Sequence, residues 1–316
     1  MCTLLVWPTC HLGVQMGIVQ SRAVEISCTE SPSTWTSLGS CNGSRQSPID
    51  IPEDSVLFNQ RLSQIVFTNY SKKGVFRNVS NTGHTVEISL GDGVWVAGGG
   101  LPSTYSAIAF HFHWGNGSLG SEHRLSGRQY PMEMHIVHTK GGMNLSEAKK
   151  DPIGVAVFGF FIDVMDSANT SQLVMVSDLL EEVANPGTTM PLNLSQSLDD
   201  LLGDVNLTMY YRYNGSLTTP TCDEIVLWTI FKNPITVPSK VVTAFASAIK
   251  HNISANVETM QNNFRPVQPL NGRRVQASFP SVMALSPNST ATSNEGSVLS
   301  AALVVSMILM LLHTRC

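Results

Sequence analysis

The sequence predicts a single β-dominated, mixed α/β domain with few helices. Apolar runs of strand length recur through the middle of the 316-residue chain, and turns containing glycine or asparagine separate them. Only two longer stretches read as helices. Because no segment repeats at a fixed period, neither a solenoid nor a propeller is expected.

Six strands are predicted in chain order, at residues 85–90, 107–114, 132–138, 153–164, 207–213 and 225–231. The turns that separate strands include residues 98–100, 116–117 and 141–142, and each of them contains glycine. The two predicted helices cover residues 171–183 and 239–251, and Pro238 begins the second of them.

The composition indicates a glycosylated protein of the secretory pathway. Charged residues make up only 13% of the chain, against about 25% in an average soluble domain. A net charge of −4 and a pI near 6.1 argue against nucleic acid as a partner. Asn-x-Ser/Thr sequons are unusually frequent for so few charges. They begin at Asn42, Asn69, Asn78, Asn116, Asn144, Asn169, Asn193, Asn206, Asn214, Asn252 and Asn288.

The C-terminal residues 285–316 have the pattern of a glycosylphosphatidylinositol (GPI) anchor signal. Residues 298–312 carry no charge, but this run is shorter than the roughly 20 residues that cross a bilayer comfortably. The polar spacer before it contains small residues suited to attachment of the anchor. They are Asn288, Ser289, Ser293 and Asn294. The alternative interpretation is a membrane helix that ends at the membrane face.

Residues 1–27 are poorly defined by the sequence. They are mostly apolar, as in a signal peptide, but they lack a basic beginning and contain Pro8 and His11. They are either a poor signal peptide or the result of a mis-assembled gene model, and the second interpretation is favoured.

Three cysteines, an odd number, would remain in the mature chain of an oxidising compartment. Three of the six cysteines would be removed with the terminal signals, namely Cys2, Cys10 and Cys316. Of the rest, Cys41 and Cys222 are candidates for a disulfide that closes a very long loop. Unpaired buried thiols are the alternative, and Cys28 has no evident partner.

Three histidines form a candidate metal site. Residues i and i+2 of a strand share a face, so His111 and His113 point to the same side. His135 lies 22 residues after His113 on another predicted strand, and neighbouring strands would bring the three imidazoles together. Catalytic zinc sites use three protein ligands and leave the fourth position open to water. Glu133, on the same face as His135, is placed to accept a hydrogen bond from that ligand.

Six segments carry a resemblance to a known family. They are residues 46–49 (QSPI), 110–115 (FHFHWG), 121–123 (SEH), 133–138 (EMHIVH), 213–220 (YNGSLTTP) and 265–270 (RPVQPL). Over about Trp35 to Phe279 the chain resembles the α-class carbonic anhydrases, and within them the extracellular GPI-anchored subgroup. The resemblance implies a catalytic domain over residues 28–284, built on a large twisted, mostly antiparallel sheet. It also implies a few peripheral helices and a conical active-site cleft.

The resemblance implies reversible hydration of carbon dioxide to bicarbonate and a proton by zinc-bound hydroxide. His111, His113 and His135 would ligate Zn²⁺. Thr218 would accept a hydrogen bond from the hydroxide and pass its own proton toward Glu122. The pocket for carbon dioxide would have a polar side and an apolar wall. Its residues would be Thr219 on the polar side, and Val137, Val157, Leu217 and Trp228 on the wall.

The proton released in each turnover needs a carrier that titrates near neutral pH, as histidine does. Residues 81–84 (NTGH) match the shuttle motif of the family, which makes His84 the candidate. Tyr213 would help to order the waters between the metal and His84. His123 and His138 are expected to be structural residues of the core.

The chain departs from the family pattern at several positions. Many relatives have Gln two residues before the first ligand, where this chain has Ala109, and weaker zinc binding or altered activity is the expected consequence. Glu87 places a negative charge near the shuttle where Asn or Gln is common. The sequon at Asn214 adjoins the catalytic loop and is expected to remain unglycosylated.

Two rival interpretations remain open. A non-catalytic relative could use the same fold for binding or adhesion, although such proteins typically lack one or more zinc ligands. A cupin-like metal oxygenase also uses a His-x-His pair, but it needs a carboxylate a few residues later, and residues 114–121 contain none. The favoured location is the extracellular face of the plasma membrane, with bicarbonate or proton transporters as candidate partners in pH regulation.

Overall fold

The computed structural model describes residues 32–168, 171–253 and 256–280. All of them lie in the first of two compact units, Met1–Ser281, whereas the second, Val282–Cys316, lies outside the described residues. The interpretations of residues 1–27, of Cys28, of two sequons (Asn169 and Asn288) and of residues 285–316 also fall outside them. Among the helices that are described, none is long and apolar enough to cross a membrane.

Sixteen strands are found in the described residues. They are β1 (Asp50–Ile51), β2 (Leu57–Phe58), β3 (Ile65–Thr68), β4 (Phe76–Asn81), β5 (Val86–Leu90), β6 (Trp95–Gly98), β7 (Tyr105–Trp114), β8 (Arg124–Leu125), β9 (Met132–Lys140), β10 (Val155–Val164), β11 (Thr189–Pro191), β12 (Tyr210–Gly215), β13 (Val226–Val237), β14 (Lys250–Ile253), β15 (Asn256–Thr259) and β16 (Gln276–Ala277).

The helices are short and peripheral. They are α1 (Leu145–Ala148), α2 (Leu173–Asp178), α3 (Leu198–Leu202) and α4 (Ser239–Ala248), with 3-10 helices at Pro32–Ser37 and Leu180–Val183. Capping boxes begin α1 and α3, at Asn144 and Ser197, and each satisfies backbone N–H groups that the first turn leaves free.

One twelve-stranded sheet dominates the fold. Its strands follow the order β11-β4-β5-β7-β9-β10-β13-β12-β16-β2, and β3 and β6 pair beside β7. Most pairs are antiparallel, and the exceptions within this sheet are β10 with β13 and β16 with β2. The predicted β-dominated domain with a large, mostly antiparallel sheet is therefore confirmed.

Two hydrophobic clusters lie on opposite faces of the central strands, because successive side chains of a strand point to opposite faces. Phe110 and Phe112 of β7 pack into the larger cluster, where the ring of Phe245 of α4 lies against that of Phe112. Val157 and Trp228 belong to the smaller cluster on the opposite face. Because side chains alternate along a strand, His111 and His113 lie on the same face as this second cluster.

Several predicted elements differ from the structure at their ends, and two of them have a clear physical reason. The strand predicted from residue 207 begins only at Tyr210, because Oδ1 of Asn206 accepts hydrogen bonds from Thr208 and holds a turn there. The helix predicted to residue 251 ends at Ala248, and Ile249, which is fully buried, turns the chain into β14. Tertiary burial therefore decides where this helix ends.

A disulfide joins Cys41 to Cys222, as predicted. The two residues are 181 positions apart in sequence, and their Cα atoms lie 4.8 Å apart. The link fixes the chain immediately after Thr218 and Thr219 to the N-terminal part of the domain. It therefore restrains the loop on which two candidate site residues lie.

Candidate metal centre

The three predicted ligand histidines converge on one point. β7 and β9 are neighbouring antiparallel strands, and His111 lies directly opposite His135 in their register. The ring centroids are 5.1 Å apart for His111 and His113, 5.2 Å for His111 and His135, and 4.7 Å for His113 and His135. One nitrogen from each ring lies within 4.8 Å of those of the other two. The triad has the donor set of a metal site with an open position.

Hydrogen bonds orient two of these rings so that one nitrogen stays free. Nδ1 of His113 donates to the backbone carbonyl of Asn263 (2.9 Å), which leaves the lone pair on Nε2. That Nε2 atom is buried and has no hydrogen-bond partner among the described residues. Nε2 of His135 donates to Glu133 (2.7 Å), which leaves the lone pair on Nδ1. A buried imidazole nitrogen without a partner fits a metal ligand, because burial without any partner would be costly.

The surroundings also favour the neutral form that metal binding requires. Burial, followed by the nearby His113 and His135, holds the pKa of His111 well below its ordinary value. Burial also lowers the pKa of His113, although Glu122 opposes that shift. Both rings are therefore neutral at neutral pH and available as ligands.

Glu133 connects the triad to a buried chain of polar side chains. Its carboxylate accepts hydrogen bonds from the ring and the backbone N–H of His123 as well as from His135. Burial alone would raise the pKa of Glu133, but these two histidines hold it well below its usual range. His123 is fully buried, which agrees with the structural role expected for it.

Tyr213 lies at the far end of this chain. Its hydroxyl is hydrogen-bonded to Nε2 of His123 (2.6 Å) and donates to Oγ of Ser47 (2.9 Å). Tyr213 is only 3% exposed, so its hydroxyl faces the protein interior. This placement argues against the expected role in ordering waters toward His84, and it makes Tyr213 a support for the Glu133 network instead.

Glu122 lies beside the triad with one oxygen free. Its Oε1 accepts a hydrogen bond from the backbone N–H of Arg265 (2.8 Å). Its Oε2 is buried without a hydrogen-bond partner and lies 3.4 Å from Nε2 of His113. Thr218 is 7% exposed in the loop after β12, and no hydrogen bond between Thr218 and Glu122 is present in the described residues. The free oxygen is an available acceptor for a hydroxyl proton.

The predicted apolar wall is a row of side chains across adjacent strands. Val137, Val157, Trp228 and Tyr213 are successive register partners on β9, β10, β13 and β12, so they share the face of the triad. The indole ring of Trp228 lies 4.9 Å from the His135 ring. Leu217 and Thr219 are half-buried on either side of Thr218 in sequence.

Gly159 is the register partner of His135 on β10, at a point where a side chain would not fit. A Cβ atom there would lie 2.6 Å from Ile230 and 3.1 Å from the carboxylate of Glu133. Glycine therefore gives Glu133 the space that it needs to reach His135.

His84 lies in the bend between β4 and β5, two residues before β5 begins, with its side chain exposed. Partial desolvation of the His84 ring lowers its pKa from the ordinary histidine value. The nearby charge of His251 lowers this pKa further. The nearby Gly83 has a φ of 84°, and its N–H donates to Oδ1 of Asn81 (2.9 Å), which fixes the turn that carries His84.

Ala109 and Glu87, the two residues that depart from the family pattern, both lie next to His111. Ala109 offers no side-chain acceptor, and no hydrogen bond to the His111 ring is present within the part of the chain that the structure covers. Glu87 is the register partner of His111 on β5, and burial raises its pKa to about 7.

Two residues with clear roles here were given none by sequence reasoning. Asn263 orients His113 through a backbone carbonyl, which no side-chain pattern reports. Arg265 binds Glu122 through its N–H and also donates to Gln46, Ser47 and Cys41. Arg265 begins the RPVQPL segment, and that position was the sequence feature that could have indicated its role.

Comparison with known proteins places these features in one family. The model of the eukaryotic-type carbonic anhydrase family matches residues 30–279. Carbonic anhydrase 4 of Mus musculus is 37% identical over 81% of this chain and 82% of its own length. Carbonic anhydrase 15 of Mus musculus is 35% identical over 78% of this chain and 79% of its own. Putative carbonic anhydrase 5 of Caenorhabditis elegans is 36% identical over 78% of both chains.

Proposed function

Because this chain belongs to the eukaryotic-type carbonic anhydrase family and therefore hydrates carbon dioxide, we propose that it does so with Zn²⁺ held by His111, His113 and His135. The observation that carries the proposal is the convergence of three imidazoles around the unpartnered Nε2 of His113. When bound, zinc supplies a Lewis acid that makes a water molecule ionise to hydroxide. Stopped-flow hydration of carbon dioxide, on protein with measured zinc content, tests the proposal.

The residues around the triad have separate roles in binding and orienting the reactants. In the working enzyme, the free Oε2 of Glu122 would accept a hydrogen bond from the Thr218 hydroxyl, and this would fix the direction of the lone pairs on the Thr218 oxygen. Thr218 thereby selects groups that can donate a hydrogen bond to it. The wall formed by Val137, Val157, Leu217 and Trp228 receives carbon dioxide, which needs no hydrogen bond, while Thr219 supplies the polar side. Glu133 holds the His135 ring, and bicarbonate leaves through the cleft.

We expect replacement of His84 by alanine to slow turnover in weakly buffered solution by about tenfold, and added imidazole to restore it. General acid–base groups contribute about 10² to 10⁴-fold, and water can replace part of this function here. The measurement is kcat for hydration, with kcat/KM unchanged because proton export follows the chemical step. An unchanged kcat would show that His84 does not carry the proton out of the active site.

The pH dependence of kcat follows from the lowered pKa of His84. The shuttle accepts a proton only when its ring is neutral, which is the case above its pKa. We therefore expect kcat to rise with pH through an inflection below the ordinary histidine value. This inflection should disappear in His84→Ala.

Ala109→Gln is expected to tighten zinc binding by about tenfold, the lower end of the 10–100-fold effects of such supporting contacts. The new amide would give the His111 ring the acceptor that it lacks. Competition with a chelator measures the affinity, and Ala109→Leu controls for added volume. Equal affinities of the two variants would show that the acceptor makes no difference.

We also propose that the protein is GPI-anchored at the extracellular face of the plasma membrane, on the strength of the C-terminal sequence pattern. There it would supply or consume bicarbonate and protons beside their transporters. Treatment of cells that express the full chain with a phosphatidylinositol-specific phospholipase is expected to release most of the activity. Retention on the cells would favour a membrane helix.

N-glycosylation belongs to the same proposal. Of the sequons in the described residues, only Asn78 on β4 is partly buried. The other sequons are exposed, namely Asn42, Asn69, Asn116, Asn144, Asn193, Asn206, Asn214 and Asn252. Burial therefore gives no reason to exclude Asn214. Glycopeptide mass spectrometry of the secreted domain would determine which of these sites carry glycans.

A further inference from the structure

The side chain of Asn263 joins the strand of the ligands to the segment of His84. Its Oδ1 accepts a hydrogen bond from the backbone N–H of Trp114 (2.7 Å). Its Nδ2 donates to the backbone carbonyls of His84 (3.0 Å) and Phe112 (3.2 Å). The backbone carbonyl of the same residue orients His113, as described above. One residue therefore contacts both the metal centre and the candidate shuttle.

The sheet itself does not make this connection. β5 pairs with β7 only from Glu87, opposite His111, to Ser89, opposite Ala109. Residues 84–86 precede this ladder and lie beside the end of β7. Side chains take the place of backbone pairing there, because Thr85 Oγ1 donates to the carbonyl of Phe112 and accepts from its N–H (3.2 Å). Asn263 holds the residue before Thr85 in the same way.

We infer that the side-chain amide of Asn263 is a positioning group that fixes His84 at a set distance from the metal centre. The inference rests on the proposed function, since it assigns a distance that matters only for proton export. Proton transfer over several waters depends steeply on the separation of donor and acceptor, so a loose shuttle segment would slow it. One acceptor and two N–H donors are needed together, and a side-chain amide supplies both.

Three variants of the full chain separate this role from a merely structural one. Asn263→Ala removes all three side-chain hydrogen bonds but keeps the backbone carbonyl that orients His113. Asn263→Asp keeps an acceptor for Trp114 and loses both donors. Gln261→Ala is the matched control, because Gln261 is exposed on the same segment and, within the described residues, its side chain donates only to the carbonyl of Ala246.

We measure hydration in weak buffer with and without imidazole, and amide hydrogen exchange of His84 and Thr85 in metal-free protein. Both Asn263 variants are expected to lower kcat by about tenfold, less than the 10²-fold that a 1 Å misplacement of reacting groups can cost. We expect kcat/KM to stay within about twofold, imidazole to restore kcat, and exchange at His84 and Thr85 to quicken by about tenfold. Gln261→Ala should match the unmodified protein.

Two results would overturn the inference. One is unchanged kcat and unchanged exchange in both Asn263 variants. The other is a parallel fall of kcat and kcat/KM that imidazole does not restore, which would place the effect at the metal centre. If the unmodified protein failed to hydrate carbon dioxide, the proposed function would fall. In that case the exchange measurement alone would decide whether Asn263 holds the His84 segment.

Discussion

Replacing His113 by alanine is expected to remove zinc and to reduce carbon dioxide hydration by at least about 10³-fold. This corresponds to the loss of roughly 4 kcal/mol of transition-state stabilisation, in the range that a Lewis-acid metal supplies. His113 is the ligand whose orientation is most clearly fixed, because the carbonyl of Asn263 holds Nδ1 and leaves Nε2 buried without a partner.

The measurements are zinc per chain by elemental mass spectrometry and hydration by stopped flow. His251→Ala serves as the control, because His251 is a half-buried histidine on β14 and belongs to no candidate metal cluster. It should keep its zinc. A His113→Ala protein with a full complement of zinc and ordinary activity would refute the ligand assignment. Circular dichroism of both variants shows whether the sheet remains intact.

The central strands and the histidine triad could be predicted from the sequence, because the patterns that indicate them lie within short segments of the chain. His111 and His113 lie two residues apart on one strand, and strand alternation alone puts them on one face. His135 required the further assumption that β7 and β9 are neighbours, which the structure confirms. The family resemblance then supplied roles that spacing alone would not.

Apart from the hydrogen bond between Glu133 and His135, the supporting contacts could not be predicted from local sequence. The bond from His113 to Asn263 joins residues 150 positions apart, and its acceptor is a backbone carbonyl. The hydroxyl of Tyr213 reaches Ser47 across 166 positions. Asn263 lies in none of the six recognisable segments, and the QSPI segment that contains Ser47 does not indicate which residue Ser47 contacts. The surroundings of Tyr213 were hidden by the same limit, since they depend on which way β12 faces in the sheet.

Glu122→Gln is expected to lower hydration by about 10²-fold while zinc stays bound, at the lower end of what one misplaced electrostatic partner costs. Glu122 uses one oxygen for the N–H of Arg265 and leaves the other free. A glutamine amide has an acceptor oxygen on one side and an NH₂ group, which only donates, on the other. If the acceptor faces Arg265, the NH₂ group faces Thr218, and the Thr218 hydroxyl can no longer donate in that direction.

The opposite orientation of the glutamine is worse, because it would set the NH₂ group against the N–H of Arg265 in a buried site. Thr218→Ala should therefore cost about as much as Glu122→Gln, and the double variant little more than either, because both changes interrupt one hydrogen-bonded unit. Glu224→Gln is the matched control, since Glu224 also accepts a backbone N–H, that of Arg45. Additive losses in the double variant would show that Thr218 and Glu122 act independently, and the proposed orientation of Thr218 would then be wrong.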